Sequence, residues 1–136
     1  MEQKDYLLRE IEKIGIVLRS ILGNLLNRKE NLSIEFPNPF EQTKERLISE
    51  IDFHLDEFLL LDETATKAYI QKIKGLNASN LELLAELLFQ FGLSGQAENK
   101  GLYLEKARQL YEFCSYADRT FSLPREKRIR EINNNI

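Results

Sequence analysis

Residues 7–26 read LLREIEKIGIVLRSILGNLL, and within them Leu7, Ile11, Ile14, Leu18, Ile21 and Leu25 recur at intervals of 4, 3, 4, 3 and 4. That spacing holds the six apolar side chains on one stripe of a slightly underwound α-helix. Leu8, Ile16, Val17 and Leu22 widen the stripe beyond the narrow seam of a two-stranded coil. A wide stripe is the mark of a helix that packs on several neighbours at once. Gly15 sits inside it at a cost of about 0.5–1 kcal/mol relative to Ala, a cost that close approach of a neighbouring helix offsets. The stretch therefore predicts a central strut of the chain's own fold, with pairing to a second copy as its other use.

The chain of 136 residues is read as one helical domain, 1–136, large enough to bury about two-thirds of its unfolded surface. With 43% apolar and 30% charged residues it has the composition of a folded protein and not of a disordered one. The net charge is −3, unevenly spread: residues 30–63 hold ten acids against Lys44 and Arg46, a balance of −8, which leaves +5 for the rest. Acidic helix faces of this kind are usually solvated. Cys114 is the single cysteine, so no intrachain disulfide forms and no oxidising compartment is implied. The apolar segment 14–26 is preceded by Asp5, Glu10 and Glu12, interrupted by Arg19, and followed by no small-residue cleavage site. It reads as neither leader nor membrane span, and the cytoplasm is the expected compartment.

The first helix is expected over residues 4–26 and a linker over 27–38. Asn38 reads as the N-cap of the next helix, with Pro39 at its first position and Glu41 closing a capping box. Leu47, Ile48, Ile51, Leu55, Phe58 and Leu59 form its stripe, thickened by Leu60 and Leu61. Asp62 caps a third helix that stops near Gly75. Ser79 and Glu82 form a second capping box opening a fourth, with Gly92 as its stop. Leu93–Gly101 reads as an exposed loop, Leu102–Asp118 as a fifth helix, Pro124–Ile132 as a short sixth, and residues 133–136 as a polar tail. Leu32–Phe36 alternates weakly and reads as extended linker. The fold class is all-α: a five- or six-helix bundle of antiparallel helical hairpins over 39–132, packed on the first helix.

The stretch Asn80–Asp118 resembles a tetratricopeptide repeat. Leu81, Leu84, Ala85 and Leu88 match the large, large, small and large positions of that unit's first helix. Ala107, Tyr111 and Cys114 match the small, aromatic and small positions of the second, and Asp118 falls where the hairpin ends. Ala85 and Ala107 would let antiparallel helices approach closely. The resemblance implies repeat-like packing in the C-terminal half and a role in binding peptides or partner proteins. It is degenerate: the loop over 93–101 exceeds the family's tight turn, the usual proline after the second helix is absent, and a stack normally needs three units. The opening Asp5–Glu12 is similar to the start of small uncharacterised bacterial all-helical proteins, a likeness of one helix that implies no activity.

Few residues point to chemistry. His54, the only histidine, would share a helical face with Glu50 and Glu57, a set able to ligate a metal or support proton transfer. A structural metal site needs four ligands, and no second histidine or cysteine joins these, so a histidine paired with Glu50 is the simpler reading. Cys114 reads as a buried structural thiol. Arg119, Arg125, Lys127, Arg128 and Arg130 cluster near the C-terminus, but Asp118, Glu126 and Glu131 interleave, which favours a solvated, partner-facing or acidic-helix-pairing end over nucleic acid. Asn38-Pro39-Phe40 matches a short adaptor-binding motif that capping already explains. The first helix carries balanced charge and gains little from anionic lipid. No phosphate loop or nucleophile elbow is present.

The sequence thus leads to a non-catalytic protein-interaction or scaffold module without a cofactor, binding a protein partner or a second copy of itself, and neither nucleic acid nor membrane. Ile16 and Val17 on the first helix and Tyr103 and Tyr116 on the fifth are the expected partner contacts. The alternative is a small-ligand- or metal-binding bundle built on His54 and its neighbouring carboxylates.

Overall fold

In the computed structural model the described residues are 2–30, 39–94, 99–119 and 121–136. They form seven helices: α1 (Glu2–Glu30), α2 (Pro39–Ile51), α3 (Leu55–Leu59), α4 (Glu63–Lys72), α5 (Ala78–Ser94), α6 (Lys100–Asp118) and α7 (Leu123–Asn135). No strand occurs among the described residues, and none of their helices is long and apolar enough to cross a membrane.

The centre of the fold is α5. Its only charges are Glu82 and Glu86, and a helix apolar on nearly every side must be covered on nearly every side. Leu81, Leu84, Ala85 and the run Leu87–Gln90 are buried, as are Phe91 and Gly92. Against it α6 runs antiparallel: Gly92 lies beneath Leu104 near the connection, and at the far end the Cys114 thiol donates to the Ala78 carbonyl at 3.4 Å. Next, α7 returns antiparallel to α6, with Arg108 on Asn133 at 3.1 Å and Arg125 on Asp118 at 2.7 Å. The stripe of α1 buries Ile14, Val17, Leu18, Ile21 and Leu25 in the common core, while Leu7, 44% exposed, projects beyond it. The expected strut is therefore a flank, and α5 holds the central place.

The stripe expected to run unbroken from Leu47 to Leu61 is cut at Asp52, whose φ of 52° lies in the left-handed region. Ile51 and Phe53 would stand about 200° apart on one continuous helix. Breaking the chain between them turns both inward. Phe53 is fully buried, and its N–H reaches back to the Leu47 carbonyl at 2.9 Å. Its ring meets Phe58 at 4.9 Å and Tyr69 edge-on at 5.5 Å, and the Tyr69 hydroxyl accepts from the His54 N–H at 2.8 Å. An Asp tolerates the left-handed conformation better than most residues. The break accounts for seven helices where five or six were expected, and it leaves Leu60 79% exposed instead of packed.

Other boundaries also move. α1 continues through Glu30, so residues 27–30 are helical and not linker. The box expected at Ser79 and Glu82 does not form. The N-terminus of α5 is capped by Asn77, whose side chain accepts from the Asn80 N–H at 3.0 Å, and Glu82 turns to Arg125 instead. Gly92 is not a stop: a Cβ there would come within 2.6 Å of Leu104, so this glycine permits close packing while α5 continues to Ser94. α6 starts at Lys100, and α7 extends through Asn133–Asn135, expected as tail. The Asp62 cap forms as read, accepting from Ala65 at 2.8 Å. The readings at Asn38, Leu32–Phe36 and 95–98 fall outside the described residues.

One junction ties these pieces together. Gly75, at φ 90°, turns the chain from α4 into α5 against the backbone of α1. The buried Asn80 side chain donates to the Gly75 carbonyl at 2.7 Å and to the Ile11 carbonyl at 2.8 Å. Its oxygen would lie 2.9 Å from a Cβ at position 15, so Gly15 is the close approach that the helix penalty implied. A Cβ at Gly75 would fall 2.6 Å from the Glu10 carbonyl carbon. Gly75→Ala combines left-handed strain with a backbone clash and is expected to cost about 3 kcal/mol. Gly101→Ala, where a Cβ meets nothing within 4 Å, should cost nothing and gain up to about 0.5 kcal/mol. Urea denaturation of both variants checks the contrast.

Candidate functional site

The break at Asp52 dismantles the expected histidine–carboxylate face. His54 Nε2 lies 2.9 Å from Asp52, Glu50 pairs with Arg46 at 2.8 Å, and Glu57 is exposed. Among the described residues no three His, Cys, Asp or Glu side chains gather as a metal set. Cys114 is buried, and burial pushes its thiol up to about 12, which leaves it unreactive near neutral pH.

The C-terminal basic cluster divides. Arg125, 7% exposed, is held by Glu82 at 2.6 Å and by Asp118 in a two-pronged contact at 2.7 and 3.2 Å. These bonds raise its pKa further, so it is permanently charged. Arg128 donates twice to Glu86, at 2.6 and 2.9 Å, and stacks over Phe89 at 4.4 Å. Tyr111 donates to the same carboxylate at 2.5 Å, and Gln90 donates at 3.1 Å. Burial alone would raise the Glu86 carboxyl, but these hydrogen bonds hold it below the usual range. Burial, together with Glu86, lifts Tyr111 far above the ordinary phenol. The cleft of about 420 Å³ beside these groups is lined by Glu82, Glu86, Arg125 and Arg128, which fasten α7 to α5 and α6, with Lys127 and Glu131 beside them.

Lys106 was not singled out from the sequence. Its ammonium, 3% exposed, donates to the Leu61 carbonyl and the Thr66 hydroxyl and lies 5.3 Å from the Phe58 ring centre. Burial lowers its pKa despite the pull of Asp62 and Glu105. The contacts clip the α3–α4 turn onto α6. The signal was thin: one lysine directly before Ala107, on a face otherwise apolar.

The four expected contact residues separate in the same way. Val17 and Tyr103 lie in the chain's own core, the tyrosine ring 5.6 Å from Phe91, so neither is available to a partner. Both lie on helix faces whose neighbours come from distant parts of the chain. Ile16 and Tyr116 stay on the surface, at 55% and 81% exposure.

Tyr116 borders a groove of about 680 Å³ between α4, α5 and α6. Ile70, Leu76, Leu81 and Phe113 line it, and the Lys67 ammonium sits 5.9 Å from the Tyr116 ring centre at its rim. Glu63 and Glu112 complete the rim, and neither has an ion-pair partner among the described residues. Burial raises the Glu112 carboxyl; Arg108 opposes that rise, and Glu105, Glu63 and Glu126 add repulsion to it. The groove is an apolar trough with a surplus of negative charge at one edge.

Replacing Arg125 with Met leaves Glu82 and Asp118 without their shared cation and is expected to cost about 3 kcal/mol. For Glu86 the folded pKa lies below the unfolded one. Its contribution is complete above the unfolded value of 4.5 and is lost as pH falls through the folded value. Glu86→Gln should therefore flatten the acid limb of the stability curve while lowering stability at neutrality, as read by urea denaturation across pH. Comparison of the chain with protein-family models, with curated proteins and with solved structures gave no match.

Proposed function

We propose that the chain is a non-catalytic protein-interaction module. In this reading it is a helical bundle whose α5–α6 pair packs as a degenerate tetratricopeptide hairpin, and it works in the cytoplasm. Its docking site is the groove between α4, α5 and α6, and its partner is a peptide segment with apolar side chains and at least one Lys or Arg. The hairpin reading draws support from burial of every matched position, Leu81, Leu84, Ala85, Leu88, Ala107, Tyr111 and Cys114, and from the end of α6 at Asp118.

The observation that carries the docking site is the unpaired Glu63 and Glu112 beside exposed Tyr116. A partner cation would relieve the repulsion on Glu112, and apolar side chains would cover Ile70, Leu76 and Phe113. Exposed aromatic anchors beside a concave apolar floor are the usual centre of such contacts. Elsewhere Arg125 and Arg128 are committed to internal pairs with Glu82, Asp118 and Glu86.

A helical probe peptide of leucines and lysines, compared with its leucine–glutamate counterpart by NMR titration, tests this directly. The lysine peptide should perturb Lys67, Phe113 and Tyr116 and bind at least about tenfold more tightly than the glutamate peptide. Tyr116→Ala and Glu112→Gln should each weaken it by about tenfold. Equal binding of both peptides, or perturbations scattered away from the groove, would overturn the proposal.

A further inference from the structure

With the stripe of α1 turned inward, the opposite face of that helix remains in water, and it is not uniformly polar. Leu8, Glu12, Ile16, Arg19, Gly23 and Leu26 follow one another at intervals of 4, 4, 3, 4 and 3 along it. Leu8, Ile16 and Leu26 are exposed large apolar side chains. A Cβ at Gly23 would meet nothing within 4 Å, so the surface there is an open shallow notch. Glu12 and Arg19 are exposed, and neither has an ion-pair partner among the described residues. They stand seven residues apart, about 10 Å along the axis, too far to pair with each other.

We infer that this face is the interface of a homodimer in which two copies of α1 cross antiparallel, with the two-fold axis level with the midpoint between Gly15 and Ile16. The order of the residues selects a second copy of this chain over a foreign partner. An antiparallel pair centred there sets Ile16 beside its own copy, within one residue's rise. It brings Glu12 opposite the partner's Arg19, and Arg19 opposite the partner's Glu12. It also places Leu8 over the notch at the partner's Gly23. Every contact is then made twice, as isologous symmetry requires. Of the other charges bordering the face, Asp5 falls opposite Leu26, Arg9 opposite Leu22 and Lys13 opposite Leu18, so no like charges stand directly opposite. A parallel pairing in register would instead set Glu12 against Glu12 and Arg19 against Arg19. Among the described residues the neighbouring helices meet α1 beside this face: Asn80 of α5 at Ile11 and at Gly15, where the Arg19 guanidinium would lie 3.1 Å from a Cβ, and Arg46 of α2 at Ser20, 3.3 Å away.

A single helix pair of this length is at the small end of specific interfaces, so the dimer should dissociate in the micromolar range, about 1–50 μM. This inference does not depend on the groove at Tyr116, which lies on other helices. Sedimentation equilibrium of the full chain, with circular dichroism as the check on folding, decides it. The wild-type protein should pass from monomer to dimer over that range. Glu12→Arg alone and Arg19→Glu alone each bring like charges together and should weaken association at least about tenfold. The double variant Glu12→Arg with Arg19→Glu should return it to within about threefold of wild type. Ile16→Glu, which sets two carboxylates at the axis, should leave only monomer. These sites are on the surface, so all variants should keep wild-type helicity. A wild-type chain that stays monomeric up to about 200 μM overturns the proposal. So does a dimer indifferent to the single swaps, or a double variant no better than its parents.

Discussion

The Asn80 side chain holds together three parts of the chain. Its amide group donates at once to the carbonyl of Ile11, in the middle of α1, and to that of Gly75, in the turn leading into α5. A buried amide left without partners costs about 1–3 kcal/mol, and here both donors are used on backbone that cannot move independently. Two glycines make the junction possible. Gly75 supplies a backbone conformation closed to most residues, and Gly15 leaves the space that the Asn80 oxygen occupies. From this point α1 is set against α5, and the groove floor follows, since Leu76, Ala78 and Leu81 lie beside the same turn.

The all-helical class was legible from apolar spacing, and the order of elements followed from caps and glycines. What misled was equal local evidence for unequal uses. Ser79–Glu82 and Asp62 both read as caps, yet only Asp62 caps, because Asn77 begins α5 a step earlier and Glu82 is claimed by Arg125. Gly92 had the appearance of a stop, but its meaning depended on Leu104, which local sequence cannot reveal. The break at Asp52 had no glycine or proline to announce it. It is set by the demand of Phe53 for the cavity shared with Phe58 and Tyr69, a tertiary demand overriding helical periodicity.

The candidate sites show the same division. Exposure decides whether a side chain can meet a partner, and Ile16 and Val17 are neighbours in sequence with opposite fates. The basic C-terminal helix could be read as solvated, partner-facing or paired with acidic helices, and Arg125 and Arg128 pair with Glu82, Asp118 and Glu86. The unpaired acids at the groove could not be found that way, because Glu63 and Glu112 are 49 residues apart in the chain. Nor could Lys106, whose acceptors are a carbonyl and a hydroxyl that lie across a turn.

The Asn80–Ile11 bond spans 69 residues, whereas α5, α6 and α7 each lie against the next. During synthesis at about 5–20 residues per second, α1 is therefore finished several seconds before its binding surface exists. Throughout that interval Ile14, Leu18, Ile21 and Leu25 have no interior to enter. α1 thus waits on a contact made well after it. A nascent chain of this protein presents a long apolar helix to whatever meets it at the ribosome, and only completion of α5 withdraws it.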